Sequence, residues 1–413
     1  MSRGAPVAWV VGTFDTKAAE LSYLADLLRS AGVRTVTVDI GTRSPAGAAD
    51  IGAMEVAAHH PDGARAVFDA TDRGVAVMAM SQALDVLVRG QLAAGAIDGM
   101  LGVGGSGGSS MLAPAMRLLP IGVPKLLVST MAAGDVSAYV GVTDMTLMYP
   151  VTDIAGLNRL SRTVLANAAH ALAGMLLHTA PLDDSCDKPA IGLTMFGVTT
   201  PCVQAVRELL QGDYDAQVFH ANGAGGRTLE ALAAAGLLRA VVDITTTEVG
   251  QHLAGGVCDA GPHRLDAAAR YGLPWVGSVG ALDMINWGAP STIPERYRGR
   301  TFHVHNANVT LMRSNAQEMQ AAAQRIAAQL NQAAGPVRLL LPLGGLSMLD
   351  APGQPFHDPS SNAAFFETLQ QLFSVSDTHR LSTLPCHIND PAFAAALADA
   401  LRAVCSAKQA SSP

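Results

Sequence analysis

Short Val/Leu/Ile runs alternate with longer segments of helical periodicity along almost the whole chain, and no other feature constrains the fold as much. Such alternation builds βαβ units, whose parallel sheets are covered by helices on both faces. The first strand is expected at residues 7–11. A helix follows at 16–31, where Ala18, Leu21, Leu24, Ala25 and Leu28 recur with the spacing of a buried stripe. Gly32 stops it, and 35–40 is the next strand. Further strands are expected at 99–103, 125–129 and 145–149, and helices at 62–72, 82–94, 108–118 and 157–177. After the aperiodic, Pro-flanked stretch TAPLDDSCDKP at 179–189, the pattern restarts with strands at 190–195, 217–220, 240–244, 274–278, 301–304 and 337–341. A helix at 391–404 closes it.

A chain of 413 residues is too long for one ordinary core. The fold class is therefore α/β, with two doubly wound, Rossmann-like domains built on mostly parallel sheets. The expected division is a nucleotide-binding domain at 1–180, a linker at 181–189, a second α/β domain at 190–408 and a frayed tail at 409–413. The net charge is −7 and there is no Lys/Arg run, which argues against a nucleic-acid partner. Every apolar run breaks well short of the ~18–20 residues of a membrane span. No basic segment followed by an apolar one opens the chain, so no signal peptide is expected. Cys186, Cys202, Cys258, Cys386 and Cys405 are scattered and odd in number, which suits neither a disulfide framework nor a zinc site and points to the cytoplasm.

In open parallel sheets, ligands bind outside the carboxyl ends of the strands, where helix N-termini offer free N–H groups. The first such junction holds Gly12, Thr13, Asp15, Thr16 and Lys17. It reads either as a plain helix cap or as a phosphate loop with Lys17 as counter-charge; it lacks the Walker A spacing. Asp39 and Gly41 end the second strand, where a carboxylate can hold a ribose or simply make a turn. Gly104, Gly105, Ser106, Gly107, Gly108 and Ser109 form the strongest signal: a nest of donors running from a strand into a helix. The spacing is not that of a dinucleotide fingerprint. Thr130, Thr143 and Asp144 lie in junctions that read equally as turns.

The second half carries His220, Glu248, His303, His305, Asn306 and Arg313 at or near strand ends. These could serve acid–base chemistry, with Arg313 holding a carboxylate. His220, Asp243, Glu248, His252, His303 and His305 are also chemically able to bind a metal, but no local ligand motif is present, so its presence and identity stay open. No nucleophile elbow appears.

Taken in order, VVGTFDTKAAELSYLADLLRSAG, DIGT, GVGGSGGSS and STMAAGDVSAYVGVTDMTLMYPVTDIAGLNRLSR, then DITTTEVGQHLAGG, SVGALDMINWG, HNANVTLMRSN, LPLGGLSMLD and HIND, resemble the Tm-1-like ATP-binding (UPF0261) family over nearly the whole chain. The resemblance implies an N-terminal domain that binds ATP, with or without Mg²⁺, a second α/β domain, and a homodimer. The chain resembles the stand-alone members rather than those fused to a TIM barrel. It strengthens the phosphate reading of the first-domain loops and raises Thr130, Thr143 and Asp144 above the turn reading. Three functions remain in play: a nucleotide-binding protein; a small-molecule lyase, hydrolase or isomerase acting on an organic acid from the second domain; and a binding module without catalysis.

Overall fold

The computed structural model describes residues 4–43, 49–178 and 188–410, with side chains to 406. The chain divides into two compact units, Met1–Leu182 and Asp183–Pro413. Of the stretch expected to link the domains, 179–187 lies outside the described residues, as do 411–413 of the expected tail.

The N-terminal unit holds five strands: β1 (Val7–Gly12), β2 (Arg34–Asp39), β3 (Gly99–Gly104), β4 (Lys125–Ser129) and β5 (Thr146–Met148). They form one parallel sheet in the order β2-β1-β3-β4-β5. Side chains alternate across it. Trp9 and Val11 pack into one apolar layer with the helix Arg73–Ala93, while Ala8 and Val10 pack into another with the helices Phe14–Ser30 and Arg159–Leu177. The sheet is thus buried on both faces, as its continuous apolar runs require.

The C-terminal unit repeats this design. Its strands are β6 (Ala190–Met195), β7 (Asp215–His220), β8 (Ala240–Asp243), β9 (Trp275–Gly277), β10 (Met284–Trp287), β11 (Phe302–Asn306), β12 (Val309–Arg313), β13 (Val337–Pro342) and β14 (His379–Leu384). Six of them form a parallel sheet in the order β14-β13-β9-β8-β6-β7. Counted from β6, this is the strand order of the N-terminal sheet with one further strand at the far edge.

Between β9 and β13 the chain inserts a three-stranded antiparallel sheet, β10-β12-β11. The strand expected at 301–304 belongs here, as part of β11. Only Ala307 and Asn308 separate β11 from β12, and so short a turn can join only antiparallel strands. The Asn308 N–H closes that turn on Asn306 Oδ1 at 2.9 Å.

Three helices differ from expectation. Residues 62–72 form only the short turn Arg65–Phe68, and the helix expected from 82 starts at Arg73, capped by the Asp72 carboxylate accepting from Val75 N–H. The last helix runs Pro391–Ala410 rather than stopping at 404. Its final turns are rich in Ala, Lys and Gln, which favour helix. Among the described residues, no helix is long and apolar enough to cross a membrane.

Candidate functional site

In a doubly wound sheet the connections leave β1 and β3 in opposite directions, and a crevice opens where the strand order reverses. In the N-terminal unit that point holds a cleft of about 230 Å³. The segment after β1 supplies Thr13, Asp15, Thr16 and Lys17; the segment after β3 supplies Gly105, Ser106, Gly107 and Gly108. Two helix starts meet there, at Phe14 and Ser106; the first N–H of the former is taken by the Asp39 carboxylate, whereas the latter has no side-chain cap. The first N–H groups of a helix have no intrahelical partner and carry partial positive charge. Lys17, Arg43 and Arg73 add three formal cations. Lys17 Nζ also donates to Ile154 O at 2.9 Å, which fixes where its charge sits.

The glycines divide into two groups. A side chain on Gly12 would press on Leu21 at 2.8 Å, and one on Gly104 would lie 2.7 Å from Ser109 N. These two permit close packing of strand on helix. Gly105, Gly107 and Gly108 are different: a methyl group at each would meet nothing nearer than 3.6 Å, and none has positive φ. Neither packing nor backbone conformation requires glycine there, although glycine in a helical turn costs up to about 1 kcal/mol against alanine. What the three share is a place on the cleft wall.

Other expected residues support the cleft or lie away from it. Asp39 Oδ1 accepts from Phe14 N–H at 2.9 Å and Gly41 N–H at 2.8 Å, tying the two loops together. Burial, aided by Asp15, pushes its carboxyl up against the opposing pull of those N–H groups. Ser109 is buried, with its Oγ 2.6 Å from Ser129 Oγ. Thr130 stands behind Gly105. The structure does not bring Thr143 and Asp144 to the cleft. Thr143 Oγ1 donates to Val140 O, and Asp144 pairs with buried Lys125 and accepts from Gly122 N–H, at the strands' amino end of the sheet. Arg43 and Arg73 were not expected. Arg73 is the first residue of its helix, where a cation opposes the helix dipole; that misplaced charge is the signal that could have found it.

In the C-terminal unit the equivalent crevice, between β6 and β8, is filled. Thr194 Oγ1 donates to Asp243 at 2.7 Å, and the Thr199 and Thr245 hydroxyls are 2.8 Å apart. Arg264, buried, forms two 2.7 Å bonds to Asp243 and one to Glu248, and reaches Glu230 at 3.3 Å. Burial raises Glu230 to about 7, opposed by Arg264. Glu248 Oε1 also accepts from Gly223 and Gly226 N–H. It therefore holds the loop after β7 in place and does not face solvent. Arg313 is likewise buried, donating to Phe356 O, Ser314 O and Asn362 Oδ1.

The remaining four residues do converge. His220, His303, His305 and Asn306 line one pocket of about 590 Å³, together with Phe196, Val198, Asn222, Cys258, Asn286, Leu311 and other mainly apolar residues. No Asp, Glu, Lys or Arg lines it. His220 stacks on Phe196 with ring centroids 5.2 Å apart. Burial and then Glu248 push the Cys258 thiol up to about 11, so it is protonated at neutral pH and a poor nucleophile. Among the described residues, no group of three or more His, Cys, Asp or Glu is placed to hold a metal ion. Asn286 escaped the sequence reading because it lies inside an apolar strand.

Fold and sites together define a two-unit, doubly wound α/β protein with a cationic glycine-lined crevice in one unit and an imidazole-bearing pocket in the other. Residues 6–181 match the model of the Uncharacterised protein family (UPF0261) N-terminal domain, and residues 188–405 match that of its C-terminal domain. The chain belongs to the UPF0261 family. It is 52% identical over 394 residues to a UPF0261 protein of Rhizobium meliloti (strain 1021), covering 95% of this chain and 98% of that one. A UPF0261 protein of Clostridium tetani is 40% identical, with 95% and 97% covered. The ToMV resistance protein Tm-1(GCR237) of Solanum lycopersicum is 40% identical over 417 residues, which cover 95% of this chain but 55% of the tomato protein.

Proposed function

We propose that the N-terminal unit binds the polyphosphate of a nucleotide, ATP, in the crevice between β1 and β3. The observation that carries this reading is the set of glycines at 105, 107 and 108, which neither packing nor backbone conformation requires, facing Lys17, Arg43 and Arg73. Their effect is to let phosphate oxygens reach the N–H groups of the helix start directly. Lys17 and the arginines offset phosphate charge, Thr13, Thr16 and Ser106 add hydroxyl donors, and Asp39 fixes the two loops. Asp15 would repel bare phosphate and would be the residue to hold Mg²⁺, whose charge would offset both. The cleft volume of about 230 Å³ suits the phosphate end, with the base extending outward. The resemblance of the loops to the Tm-1-like ATP-binding family selects ATP among nucleotides. Calorimetric titration of ATP into Lys17→Ala and Gly105→Asp proteins tests this. Both should bind far more weakly while keeping the wild-type melting temperature; unchanged affinity in both would refute the site.

A second reading, acid–base chemistry on a small molecule in the C-terminal unit, is favoured by one observation: four polar residues from two separate segments, at the end of β7 and along β11, line one pocket.

A further inference from the structure

The floor of the 590 Å³ pocket is one face of the antiparallel sheet. Asn286 on β10 and His303 on β11 are both paired with Leu311 on the central strand, so the three side chains form a single row on one face. All three line the pocket. The neighbouring row, Trp287, Thr310 and Val304, is directed to the other face. A register shift between Val304 and Asn306 then lets both His305 and Asn306 reach the pocket, as bulges beside ligand sites do.

Asn286 is 3% exposed, yet its side chain is only half satisfied. Buried Gln251 clamps it from behind: Gln251 Nε2 donates to Asn286 Oδ1 at 2.9 Å, and Asn286 N–H donates to Gln251 Oε1 at 2.9 Å. With Oδ1 taken, Nδ2 is the remaining donor, and it has no partner among the described residues. An oriented amide N–H₂ without a partner, on a wall with no charged side chain, is a site for an oxygen acceptor. Two strand spacings separate Asn286 from His303, about 10 Å between backbones. Side chains reaching inward from that separation leave room for a carbonyl group and its neighbouring carbon above Leu311. His303 is half-buried, whereas His220 and His305 are exposed. Its ring meets Phe356 edge-on, with centroids 6.4 Å apart, and makes no hydrogen bond to the described residues.

We propose that this pocket binds a small ketone or 2-oxo acid without a phosphate group and catalyses its enolisation, with Asn286 as the oxygen-binding residue and His303 as the base. The inference rests on the second reading above. A nitrogen lone pair of neutral His303 takes a proton from the carbon next to the carbonyl. The C–H electron pair becomes the new C=C bond, and the C=O π pair moves onto the oxygen, where Asn286 Nδ2–H holds it. Return of a proton from the imidazolium restores the carbonyl. The absence of Lys and Arg from the wall selects against phosphorylated and polyanionic substrates, and Leu311, Val309 and Leu349 accept the apolar substituent.

The test is deuterium exchange followed by proton NMR in D₂O, using the full chain with butanone, cyclohexanone and 2-oxobutanoate as probes. The expected result is protein-catalysed loss of the α-proton signal from at least one probe. That rate should fall roughly 100-fold or more in Asn286→Asp, which keeps the acceptor for Gln251 but puts a carboxylate where the oxyanion must form. It should fall similarly in His303→Gln, whose half-buried site tolerates the change. Probe signals that broaden with protein but do not exchange, or exchange undiminished in either folded variant, overturn the enolisation proposal and leave the pocket reading intact. Neither broadening nor exchange with any probe overturns both.

Discussion

The two units share one strand order and use its crevice in opposite ways. In the N-terminal unit the reversal point between β1 and β3 is open, walled by glycine and cationic side chains. In the C-terminal unit the same point between β6 and β8 is closed by Arg264, Asp243, Glu248 and a threonine cluster. The 590 Å³ pocket of this unit lies instead at the antiparallel insertion, and its lining is mainly apolar with no charged side chain. Topology therefore says where a ligand can sit, and side-chain chemistry decides whether that place is a site or a strut. A buried charge cluster also makes the second crevice sensitive to substitution, whereas the first is exposed and tolerant.

The largest expected effect tests the strut. Glu248→Ala leaves buried Arg264 short of a partner and frees the Gly223 and Gly226 N–H groups. Breaking a buried ion pair in this way costs on the order of 3–5 kcal/mol. Denaturant unfolding should show that loss, and ATP affinity measured where the protein is folded should not change. Next comes Arg73→Glu, which reverses a cation beside Gly107. ATP affinity should drop roughly 100-fold, since one charge-assisted hydrogen bond is worth about 1.5–3 kcal/mol; stability should hardly move.

A third test exploits pH. Burial, and then Asp350, push the Asp283 carboxyl from 3.8 up to about 7. A carboxyl that keeps its proton when folded but loses it when unfolded contributes stability that is complete below pH 3.8 and lost as pH rises through about 7. Asp283→Asn cannot ionise, so its melting temperature should exceed that of wild type at pH 8, with the advantage shrinking toward pH 4. The smallest effect is the most discriminating. Gly107→Ala should raise the melting temperature slightly, by up to about 1 kcal/mol of stability, while weakening ATP binding. A lowered melting temperature would show that the glycine is there for the fold and remove the argument for a ligand.

Most of the N-terminal architecture was legible because its strands are unbroken apolar runs and its helices follow the 3.6-residue period. The glycine-serine loop after β3 was legible from its composition instead, although Gly104 and Ser109 serve packing and only Gly105, Gly107 and Gly108 do not. Arg73 was hidden by a helix boundary misplaced by nine residues, from 82 to 73. β14 was missed because it is an edge strand with mainly exposed, polar residues such as Arg380, Ser382 and Thr383. Local sequence gave no means of separating Glu248 and Arg313 from His220 and His303. All four are polar groups at or near strand ends, and only the tertiary position of Arg264 and Phe356 turns the first two inward. Thr143 and Asp144 illustrate the converse: they stand just before β5, at the end of the sheet where no crevice forms.

The central claim is that the N-terminal crevice recognises phosphates through backbone N–H groups and three cations. The measurement that tests it most directly is a calorimetric series of ATP, ADP, AMP and inorganic triphosphate against wild type and a Lys17→Ala, Arg73→Ala double variant, with Mg²⁺ present. The account predicts affinity that rises with phosphate number, competition between triphosphate and ATP, and loss of both in the double variant. AMP binding as tightly as ATP, or a double variant that binds ATP as wild type does, would contradict it.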